Sequence, residues 1–191
     1  MSEKIAPKDR SLNGPFDASE VELAPGFLDF GSLRIPGSSE IGVRLEVEES
    51  TGRIVAVTVE LAASTLQVSV FAAPKLEGVW GEVLDQLRTS IVQAGGSTNE
   101  YISQTGPGLD AQVRQPDGML RNIRFIGVDG PRWFLRGSVT GAALTDITAA
   151  TTVENFFRTL VVNRGDSPMP PREPLNLALP AGVIAPPRVT F

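Results

Sequence analysis

Ile41-Gly42-Val43-Arg44-Leu45-Glu46-Val47-Glu48, the turn Ser50-Thr51-Gly52-Arg53, and Val55-Ala56-Val57-Thr58-Val59-Glu60-Leu61 decide the fold of this 191-residue chain. Apolar and polar residues alternate on both sides of the turn, the period of a strand with one buried face and one wet face. Ala62 to Thr65 interrupt the pattern, and Leu66, Val68 and Val70 resume it. Three sequential strands with short connections predict an antiparallel meander.

Downstream the period changes. Trp80, Val83, Leu84, Leu87, Ile91 and Val92 recur at steps of three and four, with Glu82, Asp85, Gln86 and Arg88 opposite. That spacing predicts a helix, and Gly95-Gly96 stops it. A second meander follows. Leu109 to Gln115 leads into Pro116-Asp117-Gly118, where proline fixes φ and glycine accepts a positive one. Leu120 to Val128 is the next strand, Asp129-Gly130-Pro131 the next turn, and Trp133 to Val139 the last strand. Adjacent apolar residues at Trp133 and Phe134 predict a central strand covered on both faces. A second helix is expected from Ala149 to Val162, burying Val153, Phe156, Phe157, Leu160 and Val161, with Gly165 as its stop.

The fold class is therefore α+β: an antiparallel sheet built from two meanders, packed against two helices on a face, in the order strands, helix, strands, helix. The Ser97 to Pro107 connector is short and lacks linker composition, so one fused sheet is expected. The division is a flexible leader over residues 1–15, a single α+β domain over 16–165, and a proline-rich extended tail over 166–191. Within that tail Leu175, Leu177 and Leu179 alternate, so Pro174 to Leu179 is expected to dock on the domain or on a partner. Looser order is expected beyond Pro180.

Composition removes most catalytic chemistry. The chain has no histidine and no cysteine. Ser-His-Asp and Cys-His triads, zinc sites, haem ligation by those residues and redox dithiols are therefore excluded within one chain. Neither GxxxxGK[ST] nor GxGxxG occurs. Carboxylates remain as acids and bases, but Glu46, Glu48 and Glu49, and the scattered Asp17, Glu20, Glu22 and Asp29, lack metal-site spacing. No metal or cofactor is expected. A distant carboxylate pair of the glycosidase kind stays open as a third reading. The net charge of −5 gives no reason to expect DNA or an anionic membrane as partner. No run of 18 apolar residues exists, and residues 1–15 do not resemble a secretory signal, so a cytoplasmic address is expected.

One charge feature stands out. Arg114, Arg121, Arg124, Arg132 and Arg136 all fall in the second meander, which with Asp110, Asp117 and Asp129 nets positive in an acidic chain. If several guanidiniums share a face, they form a bidentate site for phosphate or carboxylate, that is, for a small ligand or nucleotide. The competing explanation is local pairing of exposed arginines with acids. Phe125, Trp133 and Phe134 read as core rather than as an RNA-stacking platform, which leaves only weak anion or RNA contact open. Arg164-Gly165-Asp166 matches a common adhesion tripeptide by chance composition. Patterned scaffold, absent catalytic groups and a dockable tail together favour a non-enzymatic protein-interaction or adaptor module, with a protein partner or a second copy of the chain.

Gly14-Pro15-Phe16-Asp17, Phe27-Leu28-Asp29-Phe30-Gly31-Ser32-Leu33, Trp80-Gly81-Glu82-Val83 and Gly130-Pro131-Arg132-Trp133-Phe134-Leu135-Arg136-Gly137 together resemble an actinobacterial family classed only as a domain of unknown function. Val139-Thr140-Gly141 and Met169-Pro170-Pro171-Arg172-Glu173-Pro174-Leu175 extend the resemblance, which spans roughly Gly14 to Pro180. It implies a cytosolic actinobacterial protein, often encoded near dUTPase, with no catalytic residues to carry over.

Overall fold

The computed structural model of the chain describes residues 2–22 and 25–180. A one-turn helix α1 (Arg10–Asn13) precedes three short strands, β1 (Phe16–Asp17), β2 (Phe27–Asp29) and β3 (Leu33–Pro36). The first meander is β4 (Gly42–Val47), β5 (Ile54–Leu61) and β6 (Ser64–Ala72), followed by α2 (Trp80–Gln93). The second is β7 (Ser97–Ser103), β8 (Gly106–Arg114), β9 (Leu120–Asp129) and β10 (Trp133–Gly141). A 3-10 turn (Ala142–Leu144), α3 (Ile147–Arg158) and β11 (Val161–Val162) complete the order.

The two meanders fuse into one seven-stranded antiparallel sheet, β4-β5-β6-β10-β9-β8-β7, because β10 pairs with β6 from Trp133↔Ala72 to Gly141↔Ser64. This is the expected α+β class, with β10 central. A second sheet, β1-β11-β3-β2, lies apart from it. Alternation along each strand sends two apolar sets to opposite faces. One set, including Val57, Val59, Leu66, Val68, Ile126, Trp133 and Leu135, meets α3, the small sheet and Leu175 and Leu177 of the tail. The other, Leu109, Ala111, Phe125 and Phe134, meets Trp80, Leu84 and Ile91 of α2. The helices thus lie on opposite faces rather than sharing one.

Three local expectations change. The supposed connector from Ser97 is the edge strand β7, hidden in sequence because its outward positions are polar or exposed. The last helix stops at Arg158 instead of Val162. Asp146 caps it through Ala149 N at 2.9 Å, and the chain turns at Thr159 so that Leu160, Val161 and Val162 bury in β11. Gly165 is therefore not its stop. Gly118 has φ +84°, as the Pro-Asp-Gly turn requires.

The leader lies against the domain. Asp129 N donates to Ile5 O at 2.8 Å, Gly78 N to Ser2 O at 2.8 Å, and Arg158 to Asp9 at 3.0 Å. Residues 166–180 run extended across the sheet ends, with bridges Phe71↔Pro174 and Gly31↔Leu177. The expectation for the chain beyond Pro180 falls outside the described residues. Among the described residues no helix is long and apolar enough to cross a membrane.

Candidate functional site

Strand register separates the five arginines. β9 and β10 pair Arg124 with Val139 and Arg136 with Gly127, so even positions of one strand sit beside odd positions of the next. Arg124 therefore faces α3, while Arg136 faces the α2 side. Arg114 and Arg121 are exposed at the far end of β8 and β9, and Arg132 lies in the β9–β10 turn at the other end. The sequence grouped these five, and the fold disperses them.

Arg124 is consumed by structure. Its guanidinium binds Asp110 bidentately at 2.6 and 3.0 Å, donates to Ala143 O at 2.8 Å, and lies 3.6 Å from the Tyr101 ring centroid. Burial works against its charge, yet the bond and charge of Asp110 hold it above the usual arginine value. Next to it Tyr101 donates to Glu154 at 2.5 Å, and Glu154 also accepts from Gln104 N at 2.7 Å. Burial, then the Glu154 bond and charge, push the Tyr101 hydroxyl up to about 12. This cluster ties β7, β8 and β9 to α3 and leaves no free polar group for a ligand.

Arg136 is different. α2 packs chiefly on β7, β8 and β9, and Phe134 of β10 and Phe71 of β6 join its cluster at the edge. The half-face beyond α2 carries the half-buried Ser138 and Thr140 of β10 and Gln67 of β6, with Ser69 of β6 and Thr58 of β5 buried between them, placed by the Ser138↔Gln67, Arg136↔Ser69 and Thr58↔Gln67 register. At its edge Arg44 pairs with Glu60 at 3.2 Å, and Glu46 accepts from Thr58 at 2.9 Å. Arg136 stands among them with its Cζ 5.2 Å from the centroid of Phe71, which stacks on Phe134 at 4.6 Å. Among the described residues no carboxylate pairs with it. Burial alone pushes this guanidinium below its usual value. A half-buried cation without an anion is the arrangement that a binding surface needs and a solvated strand face does not.

Several acids are engaged within the fold, among them Asp17 and Glu20 of the sequence candidates. Asp129, 1% exposed, accepts from Ile5 N, Val79 N and Trp80 N. Asp17 accepts from Trp133 Nε1 at 2.9 Å and from Ser19, and Glu20 holds Arg10 bidentately. Burial opposes ionisation of Asp17, but the Ser19 and Trp133 bonds outweigh it and hold the carboxyl below the usual range. Among the described residues no three acids converge as a metal site. A groove of about 690 Å³ runs between α1, α3 and the small sheet. Its one cation, Arg158, is already spent on Asp9, Asn13 O and Gln104 O.

Sequence reasoning named Arg136 but missed the hydroxyl and amide side chains around it. Their only signal was outward parity on strands whose neighbours were unknown. No curated protein and no solved structure matches the chain. The match that exists begins at Gly14, beside β1, and takes in both sheets, α2, α3 and the docked tail: over residues 14–185 the chain belongs to the family described as protein of unknown function (DUF3710).

Proposed function

We propose that this protein is a non-enzymatic interaction module that docks a carboxylate-bearing protein surface on the half-face around Arg136. The observation carrying the reading is the unpaired, partly desolvated guanidinium stacked on Phe71 in a field of short hydroxyl and amide side chains. Arginine stacked on an aromatic ring is preorganised for bidentate carboxylate recognition and is enriched at interface hot spots. Absence of imidazole and thiol, together with the internal engagement of Asp17, Asp110, Asp129 and Glu154, supports docking over bond-making. The partner is another protein or a second copy, in a cytoplasmic and actinobacterial setting.

The test compares wild type with Arg136→Glu and Arg121→Glu by light scattering after size exclusion and by quantitative capture from native lysate. Wild type and Arg121→Glu should form the same dimer or retain the same partner, and Arg136→Glu should lose it at least tenfold. A wild-type monomer that retains nothing, or equal retention by all three, overturns the reading.

A further inference from the structure

β4 ends the seven-stranded sheet, and among the described residues no strand pairs with its outer side. Glu48 N donates to Arg53 O at 2.9 Å, so the even positions of β4 turn their backbone toward β5. The register shift near Val47 leaves the extra residue, Val55, on β5, and β4 itself keeps its period of two. Val43, Leu45 and Val47 therefore aim N–H and C=O outward, and outside the ladder no backbone bond from a described residue reaches them. Their side chains share the face of the larger core. Val43 and Leu45 are half-buried against it, and Val47 is 49% exposed. An unpaired edge with apolar side chains beside it is a template for a further strand.

The charges on that edge select which strand. A twofold axis that joins two copies antiparallel, edge to edge, stands perpendicular to the sheet and sets each residue opposite one of its own parity. Centred on Arg44 or Glu46, the axis brings like charges together at itself. Centred on Val43 it opposes Glu40 to Glu46, and centred on Val47 it opposes Glu46 to Glu48. Centred on Leu45 it opposes Arg44 to the partner's Glu46 twice over, Val43 to the partner's Val47, and Leu45 to itself. Glu48 then meets Gly42, and Glu49 meets Ile41. Of these centres only Leu45 is free of a like-charge pair, and it overlaps nearly the full strand. Arg44 can reach across, because its side chain stays 64% exposed in its bond to Glu60. The opposite edge, β7, carries Glu100 as its one charge and has no such complementary register.

We propose that β4 is a dimer interface of this chain, pairing antiparallel with β4 of a second copy about a twofold axis at Leu45 to give one sheet continuous through both molecules. Backbone bonds and the Val43–Val47 contacts hold the pair, and the Arg44–Glu46 pairs fix its register. The Arg136 half-faces of both copies lie on one side of that sheet, three strands in from the junction, so docking there stays open.

Sedimentation equilibrium of the full chain should give a dimer. Arg44→Glu places acids at both positions and Glu46→Arg places arginines at both, so each should weaken self-association roughly tenfold or more. Mixed in equal amounts, the two variants should pair with each other, because every arginine then meets a glutamate across the junction. Arg136→Glu should keep the dimer, so this interface and the docking face fail separately. Amide exchange in wild type needs no substitution: Val43, Leu45 and Val47 should gain protection as concentration rises through the dissociation constant, while Arg44, bonded to β5, is protected throughout. A monomeric wild type, single variants that still dimerise alone, folded variants that ignore each other when mixed, or outward amides indifferent to concentration overturn the proposal. Should a variant fold poorly, as its urea midpoint would show, the wild-type exchange pattern decides it.

Discussion

Asp129→Asn should free the leader while leaving the sheet in place. The carboxylate is almost fully buried, and its two oxygens divide their work. Oδ1 accepts from Val79 N at 2.9 Å and Trp80 N at 3.1 Å, capping an α2 N-terminus that has no side-chain cap of its own. Oδ2 accepts from Ile5 N at 2.9 Å. Asparagine can keep its carbonyl oxygen toward α2, but its NH2 group then opposes the Ile5 N–H, donor against donor. One charge-assisted hydrogen bond is worth about 1.5–3 kcal/mol, and loss of negative charge at a helix N-terminus costs about 0.3–1 kcal/mol more. The sum, about 2–4 kcal/mol, falls mainly on the leader, where Lys4 also donates to Gly130 O and, at 3.0 Å, to Pro131 O. Amide exchange at Ile5 should then accelerate roughly tenfold to a hundredfold beyond the rise explained by global stability, and trypsin should cut sooner after Lys4, Lys8 and Arg10. Gly127→Ala supplies a control destabilised elsewhere. If Ile5 in Asp129→Asn stays as protected as in wild type, or opens no more than in the control, the division of the two oxygens is wrong.

Gly127 packs flat beneath the Trp80 indole, and a Cβ there would lie 2.7 Å from Cε3 and closer still to Cδ2. Gly127→Ala should therefore cost about 1–3 kcal/mol through overpacking, seen as a lower urea midpoint with unchanged slope; an unshifted midpoint would show that the ring has room to move. Tyr101 is the only tyrosine, so its ultraviolet titration reports one group. Its folded value of about 12 lies above the ordinary 10.0, so the stability it contributes is complete below about pH 10 and is lost as pH rises toward 12. A pH-jump titration should place the midpoint near 12 in wild type. Glu154→Gln should lower it only partway, because burial is the larger cause; a wild-type midpoint at 10.0 would contradict the Tyr101–Glu154 contact.

What sequence could show follows from the length and regularity of each element. The long strands β5, β6, β9 and β10 and the helix α2 each hold a period over many residues, and each lies close to where the pattern placed it. The small sheet could not be seen. Its strands run two to four residues, and β1 pairs in parallel with β11 across most of the chain, so neither period nor proximity marks them. Val161 and Val162 continue the apolar steps of α3, which is why a helix period absorbs them until the turn at Thr159 is known. The arginines that sequence groups are dispersed by register and by their places along the strands. Counting residues puts Arg124 and Arg136 on matching positions, and the β9–β10 pairing puts them on opposite faces. A chain pattern carries parity within a strand but not between strands.

That same register bears on why the half-face around Arg136 suits contact better than water. A face meant only for solvent is commonly filled with lysine and glutamate, whose long side chains lose much rotamer freedom when a partner arrives. Here the field between β10 and β5 is built from Ser138, Thr140 and Gln67 over the buried Ser69 and Thr58, and short hydroxyl side chains have little freedom to lose. Its cation is held in place by a ring it stacks on rather than by an acid it would have to leave. The ordering cost of binding is therefore largely met during folding, and affinity can come from few contacts. α2 matters to this as a boundary. By covering β7 to β9 through Trp80, Leu84 and Ile91 it ends the polar field at Phe71, which stacks on the buried Phe134, so on the proposed reading a partner's carboxylate is directed to Arg136 and its apolar neighbours to the Phe71 ring.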